Sequence, residues 1–112
     1  MADIKEITSE QEWHELFSGS ENQPVVLLKH STQCPISADA HKEFEAFAEE
    51  NSEARFGLVK VIESRPVSNL IAEELETPHK SPQLFVIDNK AVKWTDSHWN
   101  IKKKAIREAL QS

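Results

Sequence analysis

The chain has one cysteine, Cys34, among its 112 residues. That excludes an intramolecular disulfide and any zinc site built from several thiolates, and a lone thiol suits a reducing compartment. Its five histidines stand apart without ligand spacing, so no metal is expected. It has no apolar run of the length that spans a bilayer. The opening "MADIKEITSE" carries acidic residues early and no apolar core, so it is read as no signal peptide, and the expected location is the cytoplasm. Basic residues are in deficit: the formal net charge is −6, which argues against nucleic-acid binding because phosphate neutralisation needs a concentrated basic surface. The one basic run, "IKKKAIR", falls in the last helical segment, where positive charge complements the helix dipole. Repeats, low-complexity segments and linkers are lacking too. What is present, 38% hydrophobic and 29% charged residues, describes one globular domain over residues 1–112, long enough to bury roughly two thirds of its unfolded surface.

Periodicity supplies the elements. "TSEQEWHELFSG" opens with a Thr or Ser cap and sets Trp13, Leu16 and Phe17 at helical spacing, with Gly19 after the last turn. "PVVLLKH" is a continuous apolar run rich in β-branched residues, the pattern of a strand buried on both faces. Beyond Pro35, the residues Ile36, Ala40, Phe44 and Phe47 recur every three or four positions, as one buried helix face requires. "RFGLVKVIE" reads as a second strand and "RPVSNLIAEELE" as a second crossover helix. After the punctuation "TPHKSP", the segments "QLFVID" and "AVKWTD" form a hairpin around Asn89, and "SHWNIKKKAIREAL" closes the chain as a helix capped by Ser97. This order gives an α/β fold: a four-stranded mixed sheet flanked by helices, with parallel crossovers first and an antiparallel hairpin last.

Cys34 stands where the first strand hands over to a helix. A helix N-terminus offers unpaired N–H groups and the positive end of the dipole, both of which favour the thiolate over the thiol. Proline suits the first helical turn because its missing N–H would have had no partner, and Pro35 takes that place. Ser37 lies one turn on, where its hydroxyl could donate to the sulfur. Two other readings of Cys34 exist: a small buried hydrophobe, and a hydrolytic Cys–His pair with His30, for which no third orienting group suggests itself.

Along nearly its whole length the chain resembles the thioredoxin superfamily. Cys34-Pro35-Ile36-Ser37 matches the active-site position of that fold, and Ser81-Pro82 ahead of "QLFVI" matches its cis-proline loop. "STQCPIS", "SRPVSN" and "KSPQ" together resemble the YtxJ family, the monothiol bacilliredoxins tied to the small thiol bacillithiol; Thr32 to Ser37 is the most specific part. The glycine pair with which glutaredoxins hold glutathione is absent, and the chain reads "WTDSHWN" there.

The resemblance implies a monothiol cycle. Dithiol members carry a resolving cysteine three residues after the nucleophile, and here that residue is Ser37. Cys34 would take bacillithiol from an S-bacillithiolated client protein and be regenerated by a further low-molecular-weight thiol, bacillithiol acting as co-substrate and no cofactor staying bound. Ser37 would support the thiolate. Thr32, Pro35, Ser81 and Pro82 would bind substrate, Ser81 and Pro82 holding its extended backbone. Bacillithiol carries a malate with two carboxylates, so Arg65, Lys80 and His98 are the cations expected to meet it. Trp13, Trp94 and Trp99 are expected in the core or as helix staples, and Pro66 and Pro78 as plain helix-start and loop residues. Two rival functions from other classes stand beside this one: an iron–sulfur carrier, as single-cysteine glutaredoxins can be, whose cluster is shared by two chains with small thiols, and a redox-regulated binding module without turnover.

Overall fold

The computed structural model describes residues 3–51 and 53–111. Its elements run β1 (Ile4–Glu6), α1 (Glu10–Gly19), β2 (Val25–His30), α2 (Pro35–Glu50), β3 (Arg55–Lys60), α3 (Arg65–Glu74), β4 (Gln83–Asp88), β5 (Ala91–Ser97) and α4 (Lys103–Gln111). The sheet order is β1-β3-β2-β4-β5. β1 and β2 run parallel to β3 on either side, while β4 is antiparallel to β2 and β5 antiparallel to β4. The sheet therefore has five strands where the sequence reading expected four.

The extra strand is β1. Three residues, two of them exposed, are too short for an alternating pattern to register, and pairing makes the strand: Ile4 sits opposite Phe56, and the Ile7 N–H donates to the Leu58 carbonyl at 2.8 Å.

β2 lies at the centre of the sheet, and all six of its residues are buried, Lys29 and His30 included. Val26 and Leu28 face the layer that holds Phe44 and Phe47 of α2 and Ile106 of α4, whereas Val25 and Leu27 face Trp13 and Leu16 of α1 and Ile71 of α3. A run apolar on both faces is what a strand sandwiched between two helical layers demands. Gly57 in β3 lets α1 settle on the sheet: a Cβ there would lie 2.6 Å from Leu16 Cδ2 and 3.2 Å from Leu27 Cδ1.

Local signals fix the helix starts. Ser9 caps α1 by accepting the Glu12 N–H at 3.2 Å, and the Glu12 carboxylate accepts the Thr8 N–H at 3.0 Å. That backbone bond, with the Thr8 hydroxyl and Lys5 adding to it, lowers the Glu12 carboxyl to about 2. The β4–β5 turn places Asn89 and Lys90 at φ 52° and 60°, the left-handed pair that a tight hairpin uses, and both N–H groups bond to Ser20.

The closing helix is not continuous. Ser97 is the last residue of β5, His98–Asn100 forms one 3₁₀ turn, Ile101 is extended, and α4 begins at Lys103, whose N–H donates to Glu43 Oε1 at 2.8 Å. His98 has φ 57°, a left-handed value that stops β5 from running on into one continuous α-helix, and the cap expected at Ser97 is supplied to α4 by Glu43 of α2.

Candidate active site

β2 delivers the chain to one edge of the sheet at His30, and a short turn leads from there into α2. The Cys34 N–H donates to the Ser31 carbonyl at 3.4 Å, Cys34 itself is extended (φ −114°, ψ 122°) as the N-cap residue, and Pro35 starts the helix. The Cys34 carbonyl accepts the Ala38 N–H at 3.1 Å, so the thiol-bearing residue is tied into the first turn. Its side chain is half-buried and makes no capping bond, and the first turn contains no acidic residue. The sulfur thus stands at the positive end of a 16-residue helix with no carboxylate of that turn beside it.

Ser37 is fully buried, and its hydroxyl has partners other than the sulfur. Its Oγ accepts the Ser31 N–H at 2.9 Å and lies 2.8 Å from His30 Nδ1. Burial, followed by the neighbouring His41, lowers the His30 pKa, which favours the neutral ring. The Ser37 hydroxyl therefore pairs with His30 while accepting from Ser31. The expected Ser37–sulfur bond is thereby replaced by a brace between the end of β2, the turn and the first turn of α2. His30, read from the sequence as a weak hydrolytic partner for Cys34, instead pairs with Ser37 and stacks on His41 at 4.6 Å between ring centroids.

The Ser81–Pro82 peptide is cis, as the resemblance implies. The loop leading to it is held from beneath. The Gln83 side chain accepts the Lys80 N–H and donates to the Pro78 carbonyl, both at 3.3 Å. Beyond the proline, the Pro82 carbonyl accepts the His98 N–H at 3.1 Å. Among the described residues neither backbone group of Ser81 has a partner within the chain, and its buried Oγ has none either.

The other expected residues fall on the same rim, because β2 and β3 end there, β4 starts there and β5 ends there. Thr32 is exposed and its Oγ1 donates to Glu63 at 3.1 Å, linking the cysteine turn to the segment after β3. Arg65 opens α3, and its charge is among the causes that lower the His79 pKa, after burial and Lys29. Lys80 is exposed within the proline loop, and His98 abuts Pro82 through its N–H. Trp13 is core, with its Nε1 donating to Glu74 at 2.7 Å, and Trp94 packs partly buried. Trp99 departs from the expectation: it is 58% exposed, on the 3₁₀ turn that the left-handed His98 throws outward.

The residues missed by the sequence reading are Lys29 and His79. Lys29 is fully buried, its Nζ donates to the Ser68 carbonyl at 2.9 Å, and it lies 3.2 Å from His79 Nδ1. Desolvation lowers its pKa from 10.5 to about 8. A signal was there to read: a lysine inside "VVLLKH", a run otherwise suited to burial on both faces.

The geometry is that of a single thiol at a helix start beside a cis-proline loop, and known proteins share it. The chain superposes on a thioredoxin-fold protein described as a candidate oxidoreductase with a TM-score of 0.88 and 29% identity, over 96% of this chain and 93% of that one. Thioredoxin from Malassezia sympodialis matches at TM-score 0.77 and 17% identity, covering 99% of this chain and 90% of that one. Spinach chloroplast thioredoxin f, in its short form, matches at 0.77 and 19%, covering 98% and 92%; at these identities the likeness is one of fold. A family model described as monothiol bacilliredoxin BrxC matches residues 5–106, the stretch that carries the buried strand, the Cys34 turn and the proline loop, and the chain belongs to that family, with a thiol redox function on a thioredoxin fold.

Proposed function

We propose that the protein removes bacillithiol from S-bacillithiolated protein cysteines by thiol–disulfide exchange in the cytoplasm. The observation that carries this reading is the pairing of a lone Cys34 at the α2 N-terminus with Ser37, not a second cysteine, one turn on. The Cys34 thiolate attacks the small-thiol sulfur of the client's mixed disulfide. One S–S bond breaks as another forms, and the client thiolate leaves with the electron pair. A second small thiolate then attacks the Cys34 mixed disulfide, releasing Cys34 as thiolate and a symmetrical small disulfide. No electron is gained or lost overall in either step, and on both occasions the reacting sulfur stands at the helix N-terminus.

Ser81 supports the docking part of the reading. Its unpaired N–H and C=O beside the proline suit an extended client backbone, which would bond there as an added strand does. Arg65, Lys80 and His98 are the cations for the malate carboxylates. Of the three, Lys80 lines a recess of about 170 Å³ together with Gln83, Asp96 and Ser97.

The test is direct. Reduced protein mixed with a bacillithiolated client should gain the mass of one bacillithiol on Cys34 while the client loses it. An unmodified Cys34 beside an unchanged client would refute the proposal.

A further inference from the structure

A buried lysine with no carboxylate is an expensive group to keep. In the sheet Lys29 lies between Val59 of β3 and Gln83 of β4. Its ammonium reaches the Ser68 carbonyl of α3 and the His79 ring of the proline loop, and Arg65 of α3 adds a second positive charge near that ring. No ion pair among the described residues includes Lys29. Unpaired buried cations usually shed the charge or are replaced by apolar residues. One of its two bonds anchors the ammonium to α3, and the other reaches the proline loop. Lys29 and its cross-strand neighbour Gln83 both hold the segment between Pro78 and Lys80, one through the His79 ring and the other through backbone groups. His79 is itself exposed, so its ring stands between the ammonium and water.

Building on the exchange reaction above, we propose that Lys29 is a positioning residue: its buried ammonium, acting through His79, holds the Ser81–Pro82 loop where substrate backbone is received beside Cys34. The ammonium donates to Nδ1 of a neutral His79, which places the ring proton on Nε2. The bond is charge-assisted and weakens when Lys29 loses its proton. Docking through the loop therefore depends on pH independently of the thiolate. The chemistry at sulfur needs no contact with Lys29, whereas exchange with a peptide-borne disulfide does need the loop, and small displacements of a docked substrate cost rates heavily.

The experiment compares two reactions of Cys34 between pH 6.5 and 9.5: alkylation by iodoacetamide, which reads thiolate alone, and exchange with a peptide whose cysteine carries a bacillithiol mixed disulfide. The ratio of exchange to alkylation cancels the titration of the sulfur. In the wild type this ratio should fall as pH rises through the range in which Lys29 deprotonates. Lys29→Met should lower it roughly tenfold at pH 7 and flatten its dependence on pH. His79→Leu, a change at an exposed residue, cuts the link from the loop side and should lower the ratio in the same direction, so it decides the matter if Lys29→Met does not fold. A wild-type ratio flat across this range, or variants that keep the wild-type ratio, would overturn the inference. Failure of the wild type to exchange at all would strike the bacillithiol reading instead.

Discussion

Ser37 Oγ lies 2.8 Å from His30 Nδ1 and accepts the Ser31 N–H at 2.9 Å, so one hydroxyl closes both ends of the turn that carries Cys34. Replacing Ser37 by Ala leaves a buried imidazole nitrogen and a backbone N–H without partners. The expected cost is about 1–3 kcal/mol of stability, read from urea unfolding. Exchange should slow only modestly in the folded variant. A hundredfold loss of rate at unchanged stability would return the hydroxyl to the sulfur.

Lys29 gives stability a pH dependence of definite sign. In the unfolded chain it holds its proton to about 10.5, and in the folded protein only to about 8. Between those values unfolding takes up a proton, so this group makes stability rise with pH across the window, and below it the folded protein carries the cost of the buried charge. Lys29→Met should raise stability at pH 7 by roughly 1–3 kcal/mol and remove that rise. Unfolding in urea at pH 7 and pH 9.5 checks both parts. Greater stability together with poorer peptide exchange would mark a residue kept for function.

Recognition by charge should be visible in salt dependence. Replacing Arg65, Lys80 or His98 by Ala, whichever meets the malate, should weaken exchange with bacillithiolated substrate a few-fold at low ionic strength, and less at high. Glutathionylated substrate also has two carboxylates, so a smaller loss there would show that their placement is read. Equal losses for both substrates would reduce the cation to general attraction.

Gly57→Ala should destabilise without touching the thiol. The added methyl would lie 2.6 Å from Leu16 Cδ2, so α1 must lift or Leu16 must leave its rotamer. Overpacking of this kind costs about 1–3 kcal/mol. The alkylation rate of Cys34 should stay at the wild-type value.

Legibility followed the range of the forces involved. The start of α2 was readable because Pro35 and the apolar spacing behind it act locally, and the burial of β2 was readable because six consecutive residues carry it. β1 was hidden because three residues become a strand only by pairing with β3, some fifty positions away. The break before α4 was hidden because no glycine or proline marks it; His98 takes the left-handed conformation while its N–H bonds to Pro82. Lys29 was visible as an oddity, but its partners lie 39 and 50 residues along the chain, beyond any local pattern. Spacing along α2 places Ser37 one turn from Cys34 but does not show that the end of β2 offers its hydroxyl His30 and the Ser31 N–H instead.

The outward turn of Trp99 also equips the protein with an optical reporter. Trp13 is sealed between α1 and α3, and Trp94 is partly covered, so Trp99 is the indole with most contact with water. It follows His98, whose N–H binds the Pro82 carbonyl, and thus shares the rim with the thiol. Emission from an exposed indole lies to the red of a buried one, and a client seated over the rim would dehydrate it. A blue shift on docking, absent in Trp99→Phe, would let each encounter be timed in stopped flow without attaching a dye, separating arrival of the client from the exchange of sulfur that follows.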